Sequence, residues 1–422
     1  MTYVVQTKNG SELNRFYEDD LLIHDWYRFV LSYPPHLVKN YLHKFGIDKQ
    51  HCVLDPFCGT GTTLVECKKH GISSIGIEAN PVVHLMAETK TRWDVDSAAL
   101  AKHAEVIAKE AQVRIIKYGD NLKTLTEEQE NLIITDSISS IPLHKALVLL
   151  EVMDEFYDAR FCNYEKTAFA KQLVYAYSNL KFGPEVGVSR KKKLDADVIE
   201  IWLKQVNEMA ESVAFFSRRK NAISVVHLAD SRNIGTTLQT NSVDAVITSP
   251  PYPNEKDYSR TTRLESVLLG FMTSKKDLRT HKEGLLRSNT RNIYVNDTDE
   301  KWIAHNGRIL ELADSIERKR IELEKDSGFE KLYHKVVKHY FGGMARHLEE
   351  LKPKLRSGAK LAYVVGDQAS YFRILIQTGE ILADIARHAG YEVMDIDLFR
   401  MRLSTATKEQ LREEVVLLQW KG

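Results

Sequence analysis

Two short stretches of this 422-residue chain bring together residue types that can do chemistry. The first is Ser249-Pro250-Pro251-Tyr252, which closes the apolar run Val243–Thr248. Proline fixes φ and has no N–H, so two in a row make a stiff loop with free carbonyls. Such a loop suits an amino group that acceptors must hold while its lone pair attacks. Ser249 supplies an acceptor oxygen, and Tyr252 supplies a face on which a flat ring can stack. The second stretch is Asp55-Pro56-Phe57-Cys58-Gly59-Thr60-Gly61-Thr62-Thr63, an acid and a glycine turn that end a short apolar run. Glycine lets the backbone approach a ligand closely, and Glu78, ending the next apolar run, can accept hydrogen bonds from a ribose. Gly59-Thr-Gly61 lacks the third glycine of a dinucleotide fingerprint, and the Lys-Ser/Thr of a phosphate-binding loop is absent. A nucleoside ligand without a phosphate chain fits this turn better.

Both stretches need strands to carry them, and the sequence supplies seven: the run ending at Asp55, Ser73–Glu78, 224–229, Val243–Thr248, 360–366, 391–399 and 415–420. Helix-forming residues follow the glycine turn over 64–70, and Asn80-Pro81 opens another helix reaching Lys90. Strands alternating with helices predict an α/β fold, a doubly wound, mostly parallel sheet with helices on both faces. About fifteen residues, with a short polar helix among them, join the last two strands, which allows an antiparallel edge strand. Residues 97–220 read as helical, with apolar residues at helical spacing in 146–156 and 198–209 and no run of strands. The expected organisation is a catalytic domain of residues 1–96 and 221–422, interrupted by a helical insertion at 97–220.

Bulk properties narrow the class. With 43% hydrophobic and 28% charged residues, the chain reads as an ordinary globular protein. No apolar run approaches the roughly 20 residues of a spanning helix, and the polar N-terminus shows no secretory signal, so no membrane is expected. Four cysteines (Cys52, Cys58, Cys67, Cys162) form neither a disulfide framework nor a CxxC pair, which predicts a reducing cytoplasm and no structural metal. A net charge of +1 excludes a uniformly basic coat for nucleic acid. Local basic clusters remain at 190–193, 218–220 and 318–320, with further basic residues scattered through 260–291.

Taken together, these residues resemble the amino-methylating (cytosine-N4 or adenine-N6) DNA methyltransferases of bacteria and phages. Asp55 to Thr62 resembles the family's cofactor motif, and Thr248-Ser249-Pro250-Pro251-Tyr252 its catalytic motif in the form typical of cytosine-N4 enzymes. The segment around Ser32-Tyr33-Pro-Pro-His-Leu37 is similar to the one that packs over the methionine end of the cofactor. Glu78 matches the ribose-binding acid, Asp230 with Ser231 the acidic turn at the adenine, and 358–367 the strand that follows. The matched regions are 20–95 and 220–422. The resemblance implies a Rossmann-like class I methyltransferase fold and S-adenosyl-L-methionine as cofactor. It implies a cofactor site of Tyr33, Asp55, Pro56, Phe57, Cys58, Gly59, Thr60, Gly61, Thr62, Thr63, Glu78, Asn80, Asp230 and Ser231, and a catalytic set of Ser249, Pro250, Pro251 and Tyr252.

An exocyclic amine is a weak nucleophile because its lone pair is delocalised into the ring. Acceptors at Ser249 and the Pro250 carbonyl would localise that lone pair, and Tyr252 would stack on the base. No cysteine accompanies the catalytic strand, so the covalent route of a C5-cytosine enzyme is not implied. The partner is double-stranded DNA with its target base flipped into the pocket, with Arg260, Arg263 and Arg287 as candidate phosphate contacts. Target recognition is expected in 97–220 or 253–339. No nuclease motif is visible, so a cognate restriction endonuclease would be a separate chain. Adenine N6 is the nearest rival acceptor, and an RNA substrate the next.

Overall fold

The computed structural model describes residues 18–28, 32–183, 185–217, 221–254, 256–404 and 407–422; the basic run 218–220 and the residues before 18 lie outside this set. The strands are β1 Cys52–Asp55, β2 Ser73–Glu78, β3 Leu180–Phe182, β4 Val186–Val188, β5 Ser224–Leu228, β6 Val243–Thr248, β7 Leu355–Gly366, β8 Glu392–Leu403 and β9 Gln410–Gln419. The helices begin with α1 Glu18–His24, α2 Pro35–Phe45, α3 Thr62–Lys69, α4 Pro81–Thr91, α5 Ser97–Tyr118, α6 Glu127–Glu130, α7 Ser140–Glu155, α8 Cys162–Gln172 and α9 Val198–Phe216. They continue with α10 Tyr258–Thr261, α11 Arg263–Leu268, α12 Lys275–Glu283, α13 Gly307–Glu322, α14 Tyr333–Leu351 and α15 Thr378–His388.

Seven strands form one sheet in the order β5-β2-β1-β6-β7-β9-β8, all parallel except β9, which is the mostly parallel, doubly wound sheet expected from the sequence. From β1 the chain first builds outward through β2 to β5, then returns to lay β6 on the other side of β1. That reversal leaves a crevice above the carboxyl ends of β1 and β6, where ligands of open α/β sheets bind. Strand alternation sends neighbouring residues to opposite faces. Leu54, Val246, Leu361 and Tyr363 pack with α13, α14 and α15 on one face. Val53, Ala245, Ile247, Ala362 and Val364 pack with α2 and α3 on the other. Burial on both faces explains why β1, β6 and the inner half of β7 read as nearly continuous apolar runs.

Two details differ from the expected layout. The antiparallel strand, β9, is not the edge; it lies between β7 and β8, and β8 is the edge. The residues expected as a short polar helix between them instead extend both strands, which run on to Leu403 and start again at Gln410. Alternating side chains such as Phe399-Arg-Met-Arg-Leu403 fit a ribbon, and Arg400 pairs with Glu413 across it. β8 also carries two register shifts, between Val393 and Asp395 and between Leu398 and Arg400.

Helices α5 to α9 enclose a separate apolar core, but it is not theirs alone. Ile23 and Trp26 from the α1 end, Trp93, and Leu264, Val267 and Leu268 of α11 are buried in the same cluster. A small hairpin, β3 with β4, also interrupts the helical stretch where no strand was expected. Among the described residues no helix is long and apolar enough to cross a membrane.

α14 approaches the turn at 299–303 very closely because Gly342 has no side chain. A methyl group there would stand 2.1 Å from the Asp299 carbonyl oxygen. Gly342→Ala should therefore lower the unfolding free energy by about 1–3 kcal/mol in urea titrations, as overpacking does elsewhere. A neutral result would mean that the α14 contact is looser than described.

Candidate functional site

The site grows from a buried carboxylate. Asp55 ends β1 and is fully buried. Its Oδ1 accepts from the Thr248 hydroxyl at 2.6 Å and from the Phe57 amide at 3.2 Å, while Oδ2 accepts from the Tyr33 hydroxyl at 3.0 Å. One side chain thus joins the end of β6, the glycine bend and the segment before α2. Burial pushes the Asp55 carboxyl up to about 6, against the opposing hydrogen bonds from Thr248, Thr63, Phe57 and Tyr33. Thr63 completes the knot by donating to the Ile247 carbonyl at 3.0 Å and touching the Tyr33 hydroxyl.

Above this knot the bend turns through two residues in the left-handed region, Gly59 at φ +51° and Gly61 at φ +85°. Side chains rarely adopt that backbone, and Gly61 also caps α3 with its Cβ position in contact with Ala87. Glu78, at the end of β2, holds the bend from the side: Oε2 accepts from the Gly59 amide at 3.0 Å and Oε1 from the Asn80 amide at 2.8 Å. Burial raises its carboxyl to about 7, with the Asn80 and Gly59 amides acting the other way. Asn80 caps α4 through its Oδ1 and donates from Nδ2 to the Thr262 hydroxyl, so it links the bend to the chain beyond the proline loop.

A cavity of about 880 Å³, counted to its open mouth, lies over the carboxyl ends of β1 and β6. Its lining includes Tyr33, Phe57, Cys58, Gly59, Thr60, Thr62, Glu78, Asn80 and Asp230, together with Ser249 and Pro251 of the proline loop. The glycine bend and the proline loop therefore open into one space. Apolar walls come from Phe57, Ile77, Val83, Leu285 and Leu286, which suit a flat ring. With Glu78 as a carboxylate acceptor and bare backbone at Gly59, the residues present fit a nucleoside carrying a cationic centre.

Other expected residues stand one layer back. Asp55, Pro56, Gly61 and Thr63 shape the bend without lining the cavity, and the Pro56 carbonyl accepts from the Ser231 hydroxyl. That contact clamps the acidic turn to the bend. Asp230 is gripped by Arg232, whose Nη2 lies 2.7 Å from Oδ2, and Arg232 in turn pairs with the buried Asp299 at 2.6 Å. From α14, His347 sends one ring nitrogen to the Ser231 carbonyl at 2.9 Å and the other to the Tyr363 hydroxyl at 2.7 Å. Burial lowers its pKa to about 4, so this bridge is a neutral imidazole.

In the proline loop, the Ser249 hydroxyl donates to the Val364 carbonyl at 3.2 Å. Its proton is thereby committed to backbone, and its lone pairs are left as acceptors at the cavity wall. Pro250 is buried and, like Tyr252, does not line the cavity. The Tyr252 ring lies across Gly366 of β7, and its hydroxyl reaches Glu413 at 3.4 Å. Cys58 does line the cavity, but burial, with Asp55 and Glu78 nearby, pushes its thiol well above the usual range, so no thiolate is available there.

The three arginines nominated for phosphates separate. Arg287 is buried, paired with Asp297 at 2.8 Å and bonded to the Lys282, Glu283 and Leu285 carbonyls. Arg263 spends its guanidinium on the Ser259 and Leu132 carbonyls. Both serve the fold as they stand. Arg260 is half-buried, and its Nε finds no hydrogen-bond partner among the described residues. Sequence reasoning missed Gly284, Leu285 and Leu286 as cavity residues, since a Gly-Leu-Leu string after a polar helix carries no distinguishing pattern.

Residues 6–89 match the model of a family described as DNA methylase, of N6/N4 type. The Type II methyltransferase M.BsoBI of Geobacillus stearothermophilus is 26% identical over 421 residues, covering 92% of this chain and 82% of that one. The Type II methyltransferase M.AvaI of Anabaena variabilis is 24% identical over 406 residues, covering 88% and 79%. M.MjaII of Methanocaldococcus jannaschii, also a Type II methyltransferase, is 38% identical over 74 residues, covering 17% and 14%.

Two outcomes test the site. Asp55→Asn replaces an acceptor oxygen by an NH2 group that faces donors, and should cost about 1–3 kcal/mol in urea unfolding while weakening S-adenosylmethionine binding. An unchanged midpoint would remove Asp55 from its central place. Glu78 accepts best when ionised, and its carboxyl stands near 7. Affinity should therefore fall about tenfold as pH drops from 8 to 6, and Glu78→Gln should flatten most of that slope in isothermal titration.

Proposed function

We propose that this chain is an amino-methylating DNA methyltransferase of the N6/N4 type and that its acceptor is the exocyclic N4 of cytosine in duplex DNA, a reading supported by the family match and the Type II methyltransferase relatives. The cofactor is S-adenosyl-L-methionine, which supplies an electrophilic methyl group on a sulfonium centre. The observation that carries the reading is the shared cavity: residues of the glycine bend and Ser249 line one space.

The chain's own groups then divide the work. Glu78, with the amides of Gly59 in the bend and Asn80 at the start of α4, forms one network that would seat the ribose end of the cofactor. Phe57, Ile77, Val83 and Leu286 would flank the adenine ring, with Asp230 at its polar edge. Tyr33 and the knot at Asp55 would close the methionine end. Ser249 has one hydroxyl proton, and Val364 takes it. Toward an incoming amine Ser249 is therefore an acceptor only, which is what an amide-like NH2 needs if its lone pair is to be freed from the ring and aimed at the methyl. Pro250 and Tyr252 stand off the cavity wall, and the scheme keeps them as the second acceptor and the stacking face only because the family resemblance implies those roles.

A base inside a duplex is stacked and paired, so the target must be swung out to reach this depth. The setting we favour is the cytoplasm of a cell in which this enzyme marks a recognition site against a separately encoded endonuclease. The relatives' designation as Type II methyltransferases supports that setting.

Expression in methylation-free bacteria, followed by sequencing of the modified genome, reads acceptor and site together. N4-methylcytosine at one short sequence is the expected result; N6-methyladenine, or methylated transfer RNA with unmodified DNA, would replace the reading. Ser249→Ala should slow transfer about 10- to 100-fold, the worth of one strong hydrogen bond, with cofactor affinity within about threefold of the parent. Full activity in that variant would exclude Ser249 as the acceptor.

A further inference from the structure

The small hairpin of the helical insertion stands beside the loop that follows the proline motif. β3 and β4 pair antiparallel, Leu180 with Val188 and Phe182 with Val186. Lys256, a short way past Tyr252, donates from Nζ to the Gly183 carbonyl at 2.8 Å. Phe182 packs on the same apolar cluster as Tyr258, and Tyr258 lines the cavity. From the other wall, Arg291 follows closely on Leu285 and Leu286 and reaches Glu185 at 4.0 Å. The hairpin turn is thus tied to both segments that flank the cavity.

Its charge pattern is unusual for a structural prop. Lys181, Arg190 and Lys191 are exposed on the hairpin and just after it, as expected of a surface facing phosphates. Glu185, at the turn, is exposed as well, and a carboxylate facing phosphates is repelled by them. Its pairing with Arg291 is long, with side chains 63% and 38% exposed, so it is readily exchanged for another partner. The donors on duplex DNA that reward a carboxylate are the exocyclic amines of base edges in the major groove, and a two-stranded ribbon is narrow enough to enter that groove.

We infer that the Leu180–Val188 hairpin reads base pairs beside the target, with Glu185 accepting from an exocyclic amine and Lys181, Arg190 and Lys191 on the backbone. This rests on the DNA-methylation reading above and deepens it by naming the specificity element. Phosphate contacts fix position and base contacts fix sequence, so the two groups of residues must behave differently when changed.

The test uses the full-length protein. Wild type, Glu185→Gln and the double variant Lys181→Ala/Lys191→Ala are each expressed in methylation-free bacteria, and their modified genomes are sequenced. The purified proteins are then assayed on cognate and single-mismatch duplexes at several salt concentrations. Glu185→Gln should leave cofactor affinity unchanged but reduce cognate-over-mismatch discrimination about tenfold or more at one flanking position. The double variant should keep the same site preference, lower kcat/KM on all duplexes alike, and lessen the salt dependence. If wild type modifies a defined DNA site and Glu185→Gln shows the same sites and discrimination, the hairpin inference is overturned while the enzyme reading stands. If wild type modifies no DNA, both are overturned.

Discussion

A carboxylate removed from water has to be surrounded by donors, and at Asp55 those donors come from three different parts of the chain. Tyr33 arrives from the segment before α2, the Phe57 amide from the glycine bend, and Thr248 from the residue immediately ahead of Ser249. Leaving any of these unmade would cost more than making it gains. The two loops that form the cavity are therefore not placed independently. A shift of the proline loop is felt at the bend, and the reverse, because both answer to the same two oxygens. A second tier repeats the design: the Ser231 hydroxyl on the Pro56 carbonyl, and His347 spanning Ser231 and Tyr363, bind the acidic turn to the bend and to β7.

How much of this was legible follows from where each residue's constraint lies. The sheet could be read because β1, β6 and β7 are covered on both faces, so their apolar runs are nearly unbroken. The bend could be read because glycine is demanded by positive φ, and the proline loop because proline has no N–H to give. What stayed hidden was set by partners distant in sequence. Leu286, one of the cavity walls, packs beside α14 where Gly343 leaves room for it. Arg263 and Arg287 look like free cations in a string of letters, yet their acceptors are backbone carbonyls and one aspartate that no local pattern announces. The extension of β8 and β9 was missed because an exposed ribbon rich in polar and charged residues reads equally well as a polar helix.

The helices of residues 97–220 share their apolar core with segments on either side of them. α11, which follows the proline loop closely, buries Leu264, Val267 and Leu268 among α5 to α9. Tyr27 donates to the fully buried Glu265 on the same helix at 2.6 Å. Packed interiors transmit displacement rather than absorb it, so a load on the insertion reaches α11 and the chain leading back to Ser249.

The outer strand β8 leaves a row of amides and carbonyls facing solvent over twelve residues. A strand that long is normally an invitation for another chain to lie alongside and continue the sheet. Here the two register shifts cut it into regular pieces of at most four residues, 395–398 and 400–403 being the longest. A second molecule trying to zip along this border would lose step twice, so the border discourages edge-to-edge stacking of one copy on another.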